Sequence, residues 1–237
     1  MTERDTLIVV PTYNEAENID RLIGEIEQLA PDVDILVVDD NSPDGTGGLV
    51  ARWQLKSPRV HLLKRSGKEG LAAAYTAGFQ WGLQRAYRKL IQMDADFSHH
   101  PKYLPAFVDN LRTYPVVTGS RYIAGGGTSG WGWTRNAISR GGNTYARWVL
   151  GLHHHDLTGG FNGWRREVLE RIRIDTIRSR GYAFQVEMKY RAARLGFTLK
   201  EIPIHFENRR LGTSKMSGDI VWEAAFRVFQ MKNRAFT

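Results

Sequence analysis

The 237-residue sequence predicts an α/β fold, a mainly parallel sheet with helices on both faces. Three observations carry that expectation. Short, continuous apolar runs recur through the N-terminal part and each ends in a polar cluster. Segments with apolar residues at helical spacing separate them, the alternation that parallel sheets require. A hydrophobic content of 42% with 24% charged residues is ordinary for a globular chain, and this length suits one domain over 1–237.

The elements follow in order. Thr6–Val10 is apolar, β-branched and ended by Pro11, as a buried strand would be. Asn14 is placed to cap the next helix, in which Ile19, Leu22, Ile23, Ile26 and Leu29 recur at helical spacing. A second buried strand, Val33–Val38, runs into Asp39 and Asp40. Then come a helix around Asp44–Lys56, a strand at Val60–Lys64, a small-residue helix from Gly70 to about Arg85, and a strand at Lys89–Met93. Ala124–Trp133 interleaves glycine with tryptophan and reads as a mobile loop near a site. Helices at Asn136–Leu150 and near Phe184–Leu195, a strand pair around Phe197–Phe206 and a final helix at about Asp219–Asn233 complete the pattern.

In open parallel sheets, ligands bind beyond the carboxyl ends of the strands. Pro11–Glu15, Asp39–Asp44 and Asp94–Asp96 all lie at such ends, so three polar clusters are expected on one edge. The triplet Asp94-Ala95-Asp96 can direct two carboxylates at one hard cation, and Mg²⁺ or Mn²⁺ takes the rest of its shell from phosphate and water. An Asp-x-Asp turn is a common solvated feature; its placement opposite two other acidic strand ends favours the metal. Adjacent Asp39 and Asp40 repel each other and need donors, which ribose and base groups supply. Ser42 and Asp44 shape the turn there and leave Asp40 for a ligand. Tyr13 offers a ring and Glu15 a carboxylate to the same edge.

The formal charge of +8 and pI near 9.8 imply an anionic partner, and Arg121, Arg135, Arg140, Arg147, Arg165 and Arg166 fall mid-chain. No cysteine is present, which excludes disulfides and thiolate metal sites. No G-x-G-x-x-G follows the first strand, and Gly125–Gly127 lacks a P-loop ending, which argues against dinucleotide oxidoreductases and P-loop enzymes. His153–His155 reads as an exposed polar loop, because consecutive side chains diverge. Met1–Asp5 is polar rather than a signal peptide, and no apolar run reaches the length of a membrane span.

The segments PTYNE, VVDDNSPDGT, GKEGLAAAYTAG and QMDADFSHHP together resemble glycosyltransferase family 2, which has the GT-A nucleotide-diphospho-sugar transferase fold. GSRY, TGGF, FQVE and RxxGxSK extend the likeness over nearly the whole chain, towards polyprenol- and dolichol-phosphate mannose synthases of a short form without transmembrane helices. The resemblance implies an inverting, metal-dependent transfer of mannose from GDP-mannose to a dolichyl or polyprenyl phosphate. It implies a donor site of Pro11, Tyr13, Glu15, Val38 and Asp40, with Asp94, Ala95, Asp96 and Gln185. Arg209 and Lys215 would approach the donor phosphates. Asp94 and Asp96 would hold Mg²⁺ or Mn²⁺, with Ser98 where relatives carry a glutamine. Arg121, Arg135 and Ser139 would grip the acceptor phosphate, and Asp96 and Arg121 would be the catalytic pair.

A phosphate monoester is largely ionised at neutral pH, so it needs alignment and charge screening rather than a protein base. The same fold and lipid could serve UDP-glucose or UDP-N-acetylglucosamine. A non-catalytic nucleotide- or nucleic-acid-binding protein is the other class, and its acidic clusters would repel a phosphate backbone. No nucleic-acid partner is therefore expected. The expected location is cytoplasmic, peripheral on the cytoplasmic face of a membrane, held by basic and aromatic surface or by a small membrane-embedded partner. The final helix sets Ile220, Val221, Ala224, Val228, Phe229 and Met231 against Arg227, Lys232 and Arg234, a pattern that suits an interfacial helix and equally one packed on the domain.

Overall fold

The computed structural model describes residues 4–207 and 226–232. Its strands are β1 (Thr6–Thr12), β2 (Asp34–Asp39), β3 (Val60–Lys64), β4 (Lys89–Gln92), β5 (Val116–Ser120), β6 (Gly127–Ser129), β7 (Asn162–Arg165), β8 (Leu199–Pro203) and β9 (His205–Glu207). The helices are α1 (Ala16–Leu29), α2 (Thr46–Lys56), α3 (Leu71–Leu83), α4 (Leu104–Asn110), α5 (Trp133–Leu150), α6 (Arg166–Arg171) and α7 (Gly181–Arg194), and residues 226–232 are helical too. One sheet has the order β3-β2-β1-β4-β7-β5-β8. Every pairing in it is parallel except those of β7, which runs against both β4 and β5.

The two faces follow from the alternation of side chains along a strand. Ile8, Val10, Ile35 and Val37 join Ile19, Leu22, Ile23 and Ile26 of α1 in one core. Leu7, Val9, Leu36 and Val38 point the other way, onto Tyr75 and Phe79 of α3 and Phe184 and Met188 of α7. Strands that are apolar at every position are thus explained by burial on both sides.

Two expectations change. Phe197–Phe206 does not form a strand pair: β8 adds to β5 in the large sheet, while β9 pairs in parallel with β6 in a separate two-stranded sheet. The glycine-rich segment is therefore not simply a loop, since Gly127–Ser129 is tied to His205–Glu207. The dense glycine around β6 lets the chain pass close to its neighbours: a Cβ on Gly126 would meet the Ser120 carbonyl oxygen at 2.5 Å.

Chain order also locates the ligand edge. From β1 the chain steps out through β2 to β3, then returns to place β4 on the other side of β1. That reversal opens a crevice between the carboxyl ends of β1 and β4. Pro11–Glu15 leaves from one side of it and Asp94–Asp96 from the other.

Close approach of α3 to the sheet depends on Gly78, where a Cβ would lie 2.3 Å from Val9 Cγ1 and 3.1 Å from Val38 Cγ2. Gly78→Ala should destabilise the fold by about 1–3 kcal/mol through overpacking. Gly48→Ala in α2, with nothing within 4 Å, should be neutral or stabilising by up to about 1 kcal/mol. Urea denaturation of the two variants checks both signs.

Candidate active site at the carboxyl edge of the sheet

The loops after β1 and β2 interlock because their strands are neighbours. Thr12 Oγ1 donates to Asp39 Oδ1 at 2.9 Å, and the Asp40 N–H donates to the Thr12 carbonyl at 3.0 Å. Asp39 also accepts from the Ser42 N–H at 3.1 Å and the Ser42 hydroxyl at 2.6 Å. Asp44 then reaches across, accepting from the Ala16 N–H at 2.9 Å and from the Thr46 hydroxyl at 2.6 Å. Burial pushes its pKa up, and these donors together hold it below the usual carboxylate value. The cap of α1 therefore comes from Asp44 and not from Asn14, whose backbone is left-handed at φ 61°.

Asp40 already has a protein partner. It is 4% exposed and paired with Arg65 Nη1 at 2.6 Å. Burial raises its pKa and Arg65 pulls it back. Two adjacent buried carboxylates need donors, and the residue just beyond β3 supplies them to Asp40. Tyr13 is 37% exposed, with Lys68 Nζ 4.1 Å above its ring. Glu15 accepts from Asn18 Nδ2 at 2.8 Å, and Pro11 is buried. The side chains of Val38 and Ala95 belong to the two cores, so only their backbones face the edge.

The acidic triplet is held from both sides of the sheet. Tyr75 Oη donates to Asp94 Oδ1 at 2.7 Å, and the Asp94 N–H donates to His99 Nδ1 at 3.0 Å. With Nδ1 accepting, the His99 proton sits on Nε2; burial lowers the pKa of the ring, which is 2% exposed. Proximity of Asp94 raises the Tyr75 pKa further above the value that burial already imposes. Asp96 Oδ1 accepts from the Ser98 N–H at 3.0 Å across Phe97, a bulky residue at φ 61°. Such a conformation costs on the order of 1–3 kcal/mol and persists where the surroundings impose it. Ser98 Oγ is buried without a hydrogen-bond partner. Two carboxylates and an orphaned hydroxyl on one turn fit a hard divalent cation. No group of three acidic or imidazole ligands exists among the described residues, so the cation would complete its shell from substrate and water.

Across the same edge lies a basic cluster. Arg121 is 5% exposed and grips Asp156 through Nε and Nη2, both at 2.7 Å, while Nη2 also reaches Thr158 Oγ1 at 2.9 Å. The loop carrying Asp156 is clamped in turn. Lys189 Nζ donates to the carbonyls of Asp156, Leu157 and Gly159 at 3.2, 3.1 and 2.8 Å. Asn143 Oδ1 accepts the N–H groups of Leu157 and Thr158 at 2.8 and 3.1 Å. Burial would raise the Asp156 pKa, but Arg121 holds it below the carboxylate range; burial pushes the Lys189 amine down to about 7.

Arg121 is thus no open phosphate grip: two of its nitrogens serve Asp156, and Nη1 remains outside that pair. Its guanidinium lies 5.1, 5.5 and 5.6 Å from the rings of Tyr122, Trp131 and Phe206. Arg135 stacks 4.0 Å above Trp131, and Tyr122 Oη donates to Ser139 Oγ at 2.6 Å. Arg121, Arg135 and Ser139 therefore gather around two shared rings. Gln185 is 3% exposed and spends its carbonyl on Gln92 and Asn162, at 2.8 and 3.2 Å, beneath the edge. Arg165 and Arg166 bind backbone carbonyls elsewhere and do not join this cluster. His154 and His155 anchor on the Leu199 carbonyl and Glu201, as a fixed polar loop rather than a metal triad. Arg209 and Lys215 lie outside the described residues.

Arg65, Asp156, Asn143 and Lys189 were not marked by the sequence pattern, and Tyr75 and His99 lie inside the segments GKEGLAAAYTAG and QMDADFSHHP without a role assigned to them. Lys189 between Met188 and Tyr190 is the nearest to a signal, a charge inside an apolar helix stretch.

A family model described as glycosyl transferase family 2 matches residues 7–173. The chain is 48% identical to a polyprenol monophosphomannose synthase of Mycolicibacterium smegmatis, over 94% of this chain and 85% of that protein. It is 47% identical to an undecaprenyl-phosphate mannosyltransferase of Micrococcus luteus, over 94% and 91%. Among solved structures it is similar in fold to glucosyl-3-phosphoglycerate synthase of Mycobacterium tuberculosis with Mn²⁺ and UDP, at TM-score 0.67 and 18% identity, over 96% of this chain and 78% of the other. A mannosyltransferase of Pyrobaculum calidifontis with GDP-mannose and Mn²⁺ matches at TM-score 0.59 and 20% identity, over 90% and 59%.

Asp156→Ala should cost about 3–5 kcal/mol at neutral pH, because it strands the buried Arg121 charge. Since the folded-state pKa of Asp156 is depressed, its contribution is full above about pH 4 and is lost as pH falls through the folded value. Denaturation curves of wild type and variant at pH 7 and pH 3 should show the gap narrowing in acid.

Proposed function

The chain belongs to glycosyltransferase family 2, and on that premise we propose that it transfers mannose from GDP-mannose to a polyprenyl or dolichyl phosphate, as one catalytic domain spanning 1–237. Both curated relatives carry names with a polyprenyl phosphate and mannose, and a solved neighbour binds GDP-mannose with Mn²⁺. The observation that carries the reading is the bridge between the two halves of the edge. His99 bonds the Asp94 backbone and meets the Phe206 ring at 5.8 Å, and the Arg121 guanidinium lies 5.6 Å from the same ring. A carboxylate pair for a metal and an arginine cluster for a phosphate thus share one wall.

On this reading Asp94 and Asp96 would hold Mg²⁺ or Mn²⁺, with Ser98 Oγ as the neutral oxygen. Bound there, such an ion would supply neutralisation of the charge on the leaving diphosphate. The ring of Tyr13, the backbone at Pro11, Val38 and Ala95, and the carboxylates of Glu15 and Asp40 seat the nucleoside and sugar. Arg65 fixes the direction of Asp40. Gln185 supports this seat from below, and Arg209 and Lys215 approach the donor phosphates. Arg121 Nη1, Arg135 and Ser139 align the acceptor phosphate. One of its oxygens attacks C1 of the sugar, the bond from C1 to the diphosphate breaks, and GDP leaves with inversion. The phosphate is already ionised, so no side chain has to remove a proton. Asp156, Asn143 and Lys189 act as positioning residues, because they set the plane of the Arg121 guanidinium.

The protein works peripherally on the cytoplasmic face of a membrane, where such acceptors lie; no described helix is long and apolar enough to cross it. Purified protein with a polyprenyl phosphate should label lipid from GDP-mannose more efficiently than from UDP-glucose or UDP-N-acetylglucosamine, and a UDP preference would overturn the donor. Chelation should abolish transfer and added Mn²⁺ or Mg²⁺ restore it. Asp96→Ala should lower kcat/KM by at least about 100-fold, and full activity in that variant would refute the metal site.

A further inference from the structure

Two buried side chains turn N–H groups toward the same small space beside Gly160. That residue is half-buried at the edge, just before β7, and has no side chain to fill the space. A Cβ there would lie 3.2 Å from His99 Cε1 and 3.7 Å from both His99 Nε2 and Gln185 Nε2. His99 and Gln185 are 2% and 3% exposed. Their hydrogen bonds to described residues all run through the other end of each group, His99 Nδ1 and Gln185 Oε1. Both Nε2 atoms are left without a partner among the described residues.

The polarity of each group is fixed from behind by a donor that has no alternative. An indole N–H can only donate, and Trp164 Nε1 gives its proton to Gln92 Oε1 at 2.9 Å. Gln92 must then present its amide nitrogen on the other side, and Nε2 donates to Gln185 Oε1 at 2.8 Å. Asn162 Nδ2 donates to the same oxygen at 3.2 Å. With its oxygen so occupied, Gln185 has only its NH₂ to turn toward Gly160. His99 follows the same logic. The Asp94 backbone N–H can only donate, so Nδ1 accepts, the ring is neutral and the proton sits on Nε2. Stacking on Phe161 at 5.0 Å and the edge contact with Phe206 at 5.8 Å hold the ring in that orientation. Buried donors without partners are rare, and two that face one space call for an acceptor.

We propose that His99 Nε2 and Gln185 Nε2 both donate to one hydroxyl oxygen of the donor sugar, and that this contact selects the sugar. The inference deepens the proposed function and rests on it for the identity of the donor. His99 is bonded to the backbone of Asp94, so the space beside Gly160 adjoins the acidic turn that would meet the diphosphate. A sugar joined to that diphosphate is within reach of it. Both donors are uncharged, which suits a hydroxyl with two lone pairs, whereas phosphate is matched by the arginines across the edge. Buried donors discriminate sharply, because an analogue that lacks or misplaces the hydroxyl leaves them unpaired. Trp164, Gln92 and Asn162 touch no substrate on this account; they are positioning residues that set which end of Gln185 faces the sugar.

Calorimetry with GDP and with GDP-mannose, in Mn²⁺ and without acceptor, tests the contact. His99→Asn keeps an oxygen where Nδ1 accepts from Asp94 and removes the second donor. Gln185→Glu keeps the oxygen that Gln92 and Asn162 require and removes the amide donor. Each should bind GDP-mannose about tenfold more weakly and GDP within about twofold of wild type. Gly160→Ala, which fills the space and leaves both donors in place, should show the same selective loss. Among GDP-mannose analogues that each lack one hydroxyl, one should bind wild type about tenfold more weakly and lose nothing further in His99→Asn. Equal losses for GDP and GDP-mannose in the three variants would overturn the proposal, because the residues would then act through Asp94 or on the phosphates. So would a wild type indifferent to every missing hydroxyl, or a raised KM for polyprenyl phosphate with unchanged donor affinity. If wild type binds UDP-glucose in place of GDP-mannose, the proposed donor fails. The same variants compared on UDP and UDP-glucose then decide the sugar contact, which stands on a selective loss and falls on an equal one.

Discussion

Arg121 and Asp156 form the pair on which the basic half of the edge depends. Both are almost fully withdrawn from water, at 5% and 0% exposure, where an unpaired charge would be prohibitive. The pair is tolerated because it is bidentate, and the Asp156 carboxylate is held further by the N–H groups of Arg121 and Gly159 at 3.0 and 2.9 Å. Around it, Lys189 and Asn143 occupy the backbone groups of the 156–159 loop. Arg121 thus emerges from β5 with its plane already set, and Tyr122, Trp131 and Phe206 stack about it at fixed distances. The cost of ordering a long cationic side chain is met on folding, before any ligand arrives.

The acidic half is preorganised by a different device. Phe97 is held at a backbone conformation unfavourable for its side chain, and the turn brings the Ser98 N–H onto Asp96. Tyr75, from the helix on one face of the sheet, and His99, from the loop itself, fix the Asp94 carboxylate and amide. Opposite charges that would otherwise pair with one another are kept apart as an acidic turn and a basic cluster, with the His99 and Phe206 rings between. For the proposed reaction, which would bring a metal, a diphosphate and a second phosphate together, this separation would let each half attract a different ligand.

Much of the fold was legible because the signals were local. β3 begins and ends where the apolar run at Val60–Lys64 places it, and α1 follows its apolar spacing. The acidic strand ends meet because β1, β2 and β4 are adjacent and parallel, which the alternation of elements implies. The exchange of β8 and β9 between two sheets was not legible. Both are short extended stretches next to each other in sequence, and only the partners available in space, β5 and β6, decide where each one pairs.

For the acidic triplet the same division holds. By itself the sequence determined that Asp94 and Asp96 stand at the end of a buried strand, and that arginines and an acid-free helix lie further along the chain. Tertiary structure alone decided that Asp40 belongs to Arg65, that Asp44 rather than Asn14 caps α1, and that Arg121 is spent largely on Asp156. Each of those pairings joins residues 25 to 35 positions apart. Hydrogen-bond partners at that separation are chosen by the packing of strands and loops, and periodicity and composition carry no record of it.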